Sequence, residues 1–363
     1  MEKWDENQVP QLEDILRRAI ELKASDVFIV VGQPVCLKIN GQIERQECKK
    51  LLPADTRVLL NRIYEFAENR DPIMRDTGDD DFAVSVKGIG RFRTNVFKQR
   101  GAWSAVMRTV AFELPPVEEM RIPQQILDLS KEQKGLILVT GTAGSGKSTT
   151  LSYIIDAINR ERNCHILTLE DPIEFLHKHK QSIVSQREVS IDTDNYAKAL
   201  RAAMREAPDV ILIGEMRDLE TIEIAMTAAE TGHLVLSTLH TVGAANTIDR
   251  IIDVFPAGQQ QQIRIQLAMV LKSIVSMQLL PTVDGKRVPA FEILEATNAI
   301  KTMIRESKVH QIDSVIYSSA KEGMKAMDVS IVELLKSGEI DEKTALSYAI
   351  NPDTIRRAMS NRE

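Results

Sequence analysis

Four short apolar runs between residues 136 and 238 alternate with segments whose apolar residues have helical spacing. The runs are Leu136–Thr140, His165–Glu170, Val210–Gly214 and Leu234–Thr238. Continuous apolar runs of this length are typical of strands buried on both faces, and helical segments between them are typical of crossover connections. The pattern predicts an α/β fold with a mainly parallel sheet that continues to about residue 285.

The first 111 residues follow a different pattern. An amphipathic helix is predicted first, from the apolar residues Leu12, Ile15, Leu16, Ala19 and Ile20. Strand-like runs follow at Asp26–Val31, Val35–Ile39, Phe82–Val86 and Arg91–Phe97, with turn signals such as Asn40-Gly41 between them. This part of the chain predicts a small α+β domain built on an antiparallel sheet.

Composition shifts suggest where these regions meet. Residues 112–123 contain three prolines and three glutamates, which predicts a linker between a first domain at 1–111 and the α/β core at 124–285. Residues 286–363 are predicted to be mostly helical, and they carry no phosphate-handling motif.

The overall charge, the length of the apolar runs and the cysteine positions argue against several classes of protein. The chain has 363 residues and a net charge of −6, which argues against a dedicated nucleic-acid binder. No apolar run approaches the roughly 20 residues that span a bilayer, and the charged start Met1–Glu6 does not resemble a signal peptide. Cys36, Cys48 and Cys164 are scattered, so reduced thiols in a cytoplasmic protein are expected, without a zinc site.

Residues 141–148 read Gly-Thr-Ala-Gly-Ser-Gly-Lys-Ser, between a strand-like run and a helix-like segment. This is the pattern Gly-x4-Gly-Lys-[Ser/Thr] in the context that a phosphate-binding loop requires. Lys147 would reach the β and γ phosphates and Ser148 would bind Mg²⁺. The motif therefore predicts ATP and Mg²⁺ as cofactors. The candidate nucleotide-binding residues are Thr142, Ala143, Gly144, Ser145, Gly146, Lys147, Ser148 and Thr149.

Two glutamates follow apolar runs. Glu215 comes directly after Val210–Gly214, and Glu170 begins the acidic stretch Glu170–Glu174. The carboxyl ends of parallel strands share one edge of a sheet, so both carboxylates are expected beside the phosphate loop. We interpret Glu170 as the base or water-orienting residue and Glu215 as a group that polarises water, each also near Mg²⁺. The alternative for each is a solvated acid without a catalytic role.

Histidines and arginines are weaker candidates. His233 and His240 bracket Leu234–Leu239 on opposite faces of a strand, so they do not form a simple metal pair, and the residues alone favour structural hydrogen bonding. Arg93 lies on a strand, and Arg108 lies farther along in the first domain; Arg201 and Arg205 share a helix face. An ATPase needs such cations to stabilise the transferring phosphoryl group, but any one of them is equally consistent with a surface ion pair.

Together the motifs resemble the secretion-type AAA+-like motor ATPases, most closely the PilT family of type IV pilus retraction ATPases. The matching segments are Ala24–Asp26 and Gly90–Asn95 for a PAS-like first domain, Gly141–Thr150 for Walker A, Thr168–Glu174 for the Asp box, Gly214–Asp218 for Walker B and Thr231–Thr241 for the His box. The resemblance implies a RecA-like core and gives both histidines a functional role.

The resemblance also implies roles and partners. Arg93 and Arg108 look like arginine fingers from the first domain, and Arg201, Arg205 and Arg250 look like arginines around the phosphates. A homo-hexameric motor is implied, peripheral at the inner face of the cytoplasmic membrane, acting on an integral-membrane platform protein to drive pilus retraction and twitching motility. A second retraction motor is a further candidate partner.

Some positions depart from the family pattern. Ala299–Glu306 resembles the helix motif of retraction motors, but Lys301, Thr302 and Met303 stand where Arg, Asn and Leu are expected. Ala207 replaces an acidic residue and Phe28 a histidine. The alternatives are a compact extension, DNA-uptake or secretion ATPase, and a weakly hydrolysing, nucleotide-gated accessory scaffold. The acidic balance disfavours a helicase.

Overall fold

The computed structural model describes residues 4–39, 41–67, 78–110, 114–320 and 323–360. The chain divides into two compact units. One comprises Met1–Glu113 with Glu174–Leu176, and the other Leu114–Ile173 with His177–Glu363. Asn40 of the predicted turn and Phe112 of the predicted linker lie outside the described residues. The predicted domain boundaries remain predictions.

In its described residues, the first unit contains a six-stranded sheet and two helices. Its elements are α1 (Leu12–Glu21), β1 (Asp26–Ile29), β2 (Cys36–Ile39), β3 (Gln42–Arg45), α2 (Pro53–Phe66), β4 (Asp79–Val86), β5 (Gly90–Gln99) and β6 (Ala102–Val110). The strand order is β3-β2-β1-β6-β5-β4, and every neighbouring pair is antiparallel. The predicted α+β domain with an antiparallel sheet is confirmed.

Two strands of this sheet were not predicted. Every residue of β3 is exposed, so Gln42–Arg45 shows no alternation of buried and exposed positions. Strand β6 lies in the sheet centre between β1 and β5, where pairing on both sides overrides a mixed sequence. The face of α1 with Ile15 and Leu16, both completely buried, packs into the same apolar core as Phe82 and Phe92.

The second unit begins with short helices and the phosphate-loop strand. Its elements through residue 239 are α3 (Val117–Met120), α4 (Gln124–Asp128), a 3₁₀ turn (Leu129–Lys131), β7 (Gly135–Thr140), α5 (Lys147–Glu161), β8 (His165–Glu170), β9 (Ile183–Glu188), α6 (Tyr196–Ala203), β10 (Val210–Ile213), α7 (Leu219–Glu230) and β11 (Leu234–Leu239). All four predicted strands of the α/β region are present.

The rest of the unit completes the sheet and adds helices. The elements are α8 (Ala244–Asp253), α9 (Ala257–Val270), β12 (Leu271–Pro281), β13 (Arg287–Glu295), α10 (Asn298–Arg305), a 3₁₀ turn (Val309–Gln311), α11 (Ile312–Ser318), α12 (Met327–Lys336), α13 (Glu342–Tyr348) and α14 (Pro352–Ser360). The seven-stranded order is β13-β12-β7-β11-β10-β8-β9, and only β13 runs antiparallel to its neighbour. The mainly parallel sheet is confirmed.

Strands β7, β10 and β11 are buried at every residue, which explains their continuous apolar sequences. One apolar cluster joins one face of this sheet to α6 through α11, and another joins the opposite face to α5. The last helices, α12 to α14, pack on the β12–β13 hairpin through residues such as Leu280 and Ile331. The sheet therefore has helices on both faces.

Within the described ranges, no helix combines the length and apolarity needed to cross a membrane.

Asp328 fastens the C-terminal helices to one another. Its two carboxylate oxygens accept hydrogen bonds from the N–H groups of Ile350 and Asn351, each at 2.8 Å, and the residue is only 8% exposed.

We predict that Asp328→Ala lowers the free energy of unfolding by about 1–2 kcal/mol, because two amides lose a charged acceptor. Urea denaturation measures the change. Asp194→Ala is the matched control: Asp194 forms an exposed ion pair with Lys198, so a loss below roughly 0.5 kcal/mol is expected. Equal losses in the two variants would contradict the prediction.

Candidate active site

Four parallel strands end at one edge of the sheet and bring the predicted motifs together. Thr140 at the end of β7 pairs with Leu239 at the end of β11. Ile213 at the end of β10 pairs with Ser237 on one side and with Leu169 on the other. The loops that follow these strands therefore meet at the carboxyl edge, where α/β proteins bind ligands.

The phosphate loop is shaped by glycines that no other residue can replace without strain. Gly141, Gly144 and Gly146 have φ values of +143°, +74° and +100°. A Cβ on Gly141 would lie 2.2 Å from the carbonyl oxygen of Met277, so the loop backbone packs directly on β12. Within the described chain, the Oγ of Ser145 is buried and has no hydrogen-bond partner. These features are those of a loop built to surround a polyphosphate.

Lys147 closes the loop. It is 8% exposed, and its Nζ donates hydrogen bonds to the carbonyl oxygens of Gly141 and Thr142, each at 2.9 Å. Helix α5 begins at this lysine, so the N–H groups of its first turn and the positive end of its dipole face the loop. Ser148 and Thr149 follow in that first turn. Five of the eight candidate binding residues thus lie in the turn between β7 and α5, and the other three form the first turn of α5, a geometry that suits an anion.

Glu215 is held by an arginine and a histidine. Its side chain is 11% exposed, and its oxygens lie 2.6 Å from Nη2 of Arg217 and 3.2 Å from Nε2 of His240. The hydrogen bond to Glu215 raises the pKa of Arg217 above its ordinary value. The His240 contact joins the loop after β11 to the loop after β10.

Glu170 is oriented by hydrogen bonds from Thr168 and Gln186. Oε1 accepts hydrogen bonds from Oγ1 of Thr168 at 2.6 Å and from Nε2 of Gln186 at 3.1 Å. The Oε1 of Gln186 accepts the backbone N–H of His177 at 2.7 Å. Gln186 therefore connects the carboxylate to the chain that follows the Asp171-Pro172 turn, whose peptide bond is cis.

Sequence reasoning missed Gln186 and Arg217. Gln186 lies on β9 directly opposite Thr168, a register that only the folded sheet defines. Arg217 stands two residues after Glu215, and its proximity in sequence was the available signal. Neither residue belongs to the metal- or phosphate-binding part of a motif.

His233 lies away from this edge. Its carbonyl accepts the N–H of Gly135 at the start of β7, and its Nδ1 lies 2.9 Å from the carbonyl oxygen of Ala228. The six residues of β11 lie between it and His240, so their Cα atoms are about 23 Å apart at ~3.3 Å per residue. The structure does not bring the two histidines together within one chain. A functional role for His233 stays a prediction.

The arginines of the second unit lie on helices. Arg201 forms an ion pair with Glu220 of the neighbouring helix α7. Arg205 follows α6 and is exposed, and Arg250 is exposed in the last turn of α8. Their proposed positions around the phosphates stay predictions.

In the first unit, Arg93 and Arg108 are direct cross-strand neighbours on β5 and β6. Arg93 pairs with Asp81 at 3.1 Å, and Arg108 pairs with Asp26 at 3.0 Å. Arg108 keeps 71% of its side chain exposed despite this pair. The two guanidinium groups therefore belong to one exposed patch of the sheet, and their role as arginine fingers stays a prediction.

The sheet, its phosphate loop and the acids at its carboxyl edge define an ATPase of the phosphate-loop class. The sequence profile of the Type II/IV secretion system protein family matches residues 2–339, and the chain belongs to this family.

Individual relatives match over nearly the whole chain. The type IV pilus retractation ATPase PilT of Pseudomonas aeruginosa is 41% identical over 340 residues, which cover 94% of this chain and 98% of that protein. The type IV pilus ATPase PilU of the same organism is 38% identical, covering 95% of this chain and 90% of its own length. A crystal structure of the pilus retraction motor PilT with bound ADP is 44% identical, with a TM-score of 0.86, and covers 96% of this chain and 99% of that one.

Lys147→Ala should abolish ATP binding, because the loop loses the cation that faces the phosphates. We expect no saturable binding of a fluorescent ATP analogue at concentrations that saturate the native protein. Lys131→Ala is the matched control, since Lys131 forms an exposed ion pair with Asp128 outside the loop, and it should bind normally. Undiminished binding of the analogue by the Lys147 variant would show that the loop is not part of the nucleotide-binding site.

His177 makes the stability of the folded protein depend on pH. Burial lowers its pKa from 6.5 to about 4, so the folded protein keeps this ring neutral while the unfolded chain protonates it. Between pH 6.5 and pH 4 the unfolded state binds more protons, so stability falls as the pH falls. Relative to His177→Gln, the native protein should lose up to about 3 kcal/mol of unfolding free energy across that window. Denaturation at several pH values tests this, and parallel pH profiles for the two proteins would contradict it.

Proposed function

We propose that this chain is the subunit of a hexameric, ATP-hydrolysing motor that powers the retraction of type IV pili. The observation that carries the proposal is the meeting of the phosphate loop, Glu170, Glu215 and His240 at one edge of the sheet. The relatives named as pilus retraction proteins match this chain from end to end, which supports the same use of the site.

ATP would bind with its phosphates in the loop of residues 141–148. The buried Ser145 hydroxyl, the N–H groups at the start of α5 and Lys147 supply donors and positive charge to the phosphate oxygens. Because Gly141, Gly144 and Gly146 carry no side chain, the backbone itself surrounds the anion.

Mg²⁺ would enter with the nucleotide. No group of three or more His, Cys, Asp or Glu side chains in the described residues could hold a metal ion by itself. The Ser148 hydroxyl and the carboxylates of Glu170 and Glu215 are hard oxygen ligands, which fit a cation that takes few protein ligands and completes its shell with phosphate and water. Bound in this way, Mg²⁺ would neutralise charge on the β and γ phosphates.

Glu170 and Glu215 would act on the attacking water. Oε1 of Glu170 accepts hydrogen bonds from Thr168 and Gln186, which fixes the orientation of the carboxylate. Glu215 is oriented by its contacts with Arg217 and His240. Two carboxylates held at this edge can accept a proton from water and hold it in line with the γ phosphate.

The remaining cations would stabilise the transferring phosphoryl group. We assign Arg201, Arg205 and Arg250 to the phosphate surroundings, and Arg93 and Arg108 to arginine fingers. His233, distant from the loop of its own chain, would act at a subunit boundary of the ring. The motor would work at the inner face of the cytoplasmic membrane on an integral-membrane platform protein.

A second candidate is a retraction motor that acts only beside another one. Two observations favour it: the match to PilU, and the residues Lys301, Thr302 and Met303 on helix α10. These substitutions leave the helix intact. Ile300 and Ile304 remain buried, and the Thr302 hydroxyl donates a hydrogen bond to the carbonyl oxygen of Asn298. They change the half-buried face beside the core contacts.

Imaging of labelled pili in the source bacterium tests the function. In a deletion strain we expect pili that grow but do not shorten, with shortening restored by the native gene and not by the Lys147→Ala allele. Reversion of α10 to Arg, Asn and Leu at residues 301–303 separates the two candidates, since it should relieve dependence on a second motor if one exists. Absent pili would identify an extension motor, and unchanged dynamics would overturn the proposal.

A further inference from the structure

Tyr196 stands between the two acidic strands of the site, and no motif assigns it a role. It is the first residue of α6, a start fixed by Asn195, whose side-chain oxygen accepts the N–H of Lys198 at 2.8 Å. This cap sets where the helix begins. The partly buried ring packs against the core that lies beneath β8 and β10.

The position of the hydroxyl follows from Gly214. A Cβ built on Gly214 would lie 2.7 Å from the Tyr196 oxygen, 3.3 Å from the carbonyl oxygen of Leu169 and 3.5 Å from Cα of Glu170. The phenol oxygen therefore occupies the space above Gly214, between the carboxyl ends of β8 and β10. Gly214 directly precedes Glu215, so both candidate catalytic acids flank this oxygen.

The hydroxyl is a protonated donor that is still available. Burial, and then the charges of Glu215, Asp171 and Glu170, raise the pKa of Tyr196 far above its ordinary value. Among the described residues the hydroxyl makes no hydrogen bond, whereas the oxygens of Glu215 and Oε1 of Glu170 accept hydrogen bonds from other groups. The hydroxyl can therefore donate to a water or phosphate oxygen that enters between the two acids.

We propose that Tyr196 is a further catalytic residue, whose hydroxyl donates a hydrogen bond to the oxygen of the attacking water. The inference rests on the proposed ATPase activity. The water oxygen then forms its bond to the γ phosphorus while the bond from that phosphorus to the ADP oxygen breaks, and ADP keeps the electron pair. One water proton passes to Glu170 and then to the released phosphate. Tyr196 keeps its own proton and holds the nucleophile in line.

Tyr196→Phe tests the hydroxyl alone, because the ring and its packing are retained. We expect kcat for ATP hydrolysis to fall about tenfold, with KM for ATP, affinity for ADP and the melting temperature unchanged. Tyr317→Phe is the control for loss of an exposed hydroxyl and should hydrolyse ATP at the native rate. An unchanged kcat in the Tyr196 variant would overturn the inference, as would a loss confined to KM. Absence of turnover in the native protein would instead reject the proposed function.

Gly214→Ala provides a second test that does not depend on the size of that effect. The added methyl group displaces the hydroxyl, so kcat should fall sharply with Tyr196 present. In the Tyr196→Phe background the same methyl group meets no hydroxyl, and its additional effect should be at least threefold smaller. Equal effects of Gly214→Ala in the two backgrounds would show that the hydroxyl does not lie above Gly214 and would overturn the inference.

Discussion

Strand β11 is the element on which the geometry of the site depends. Its final residues hold both neighbours: Oγ1 of Thr238 donates to the carbonyl oxygen of Gly214 at 2.6 Å, and the Leu239 carbonyl accepts the N–H of Gly141 at 3.3 Å. The N–H of Met216 donates a hydrogen bond to the carbonyl oxygen of Thr238 at 3.1 Å. These hydrogen bonds fix the loop that carries Glu215 and the phosphate loop relative to one another. They also lie beneath His240, which completes the contact to Glu215.

The two acids at this edge are oriented by different side chains. Glu215 lies beside the guanidinium of Arg217 and the imidazole of His240, and Oε1 of Glu170 accepts hydrogen bonds from a hydroxyl and an amide. Both carboxylates are therefore held in fixed orientations, which agrees with the roles that we propose for them in positioning the attacking water.

The site is also connected to the C-terminal helices through Glu292. This buried carboxylate accepts the N–H of Ala244, which begins the helix after the His240 loop, at 2.7 Å, and that of Met327 at 3.4 Å. Burial raises the pKa of this carboxyl group. The first residues of two helices, Ala244 and Met327, therefore share one buried acceptor. Glu292 is therefore a buried contact that the loop after β11 and helix α12 share.

The sequence by itself determined the fold class and the centre of the site. That the phosphate loop and the acids after apolar runs lie close together was predictable, because the carboxyl ends of parallel strands share one edge of a sheet whatever the strand order. Tertiary structure decided the rest. Strand order placed Gln186 beside Glu170, a cap and a glycine placed Tyr196 above Gly214, and the length of β11 kept His233 from His240. Edge strand β9 and the β12–β13 hairpin were also missed, because pairing with distant strands, rather than local periodicity, makes these segments strands.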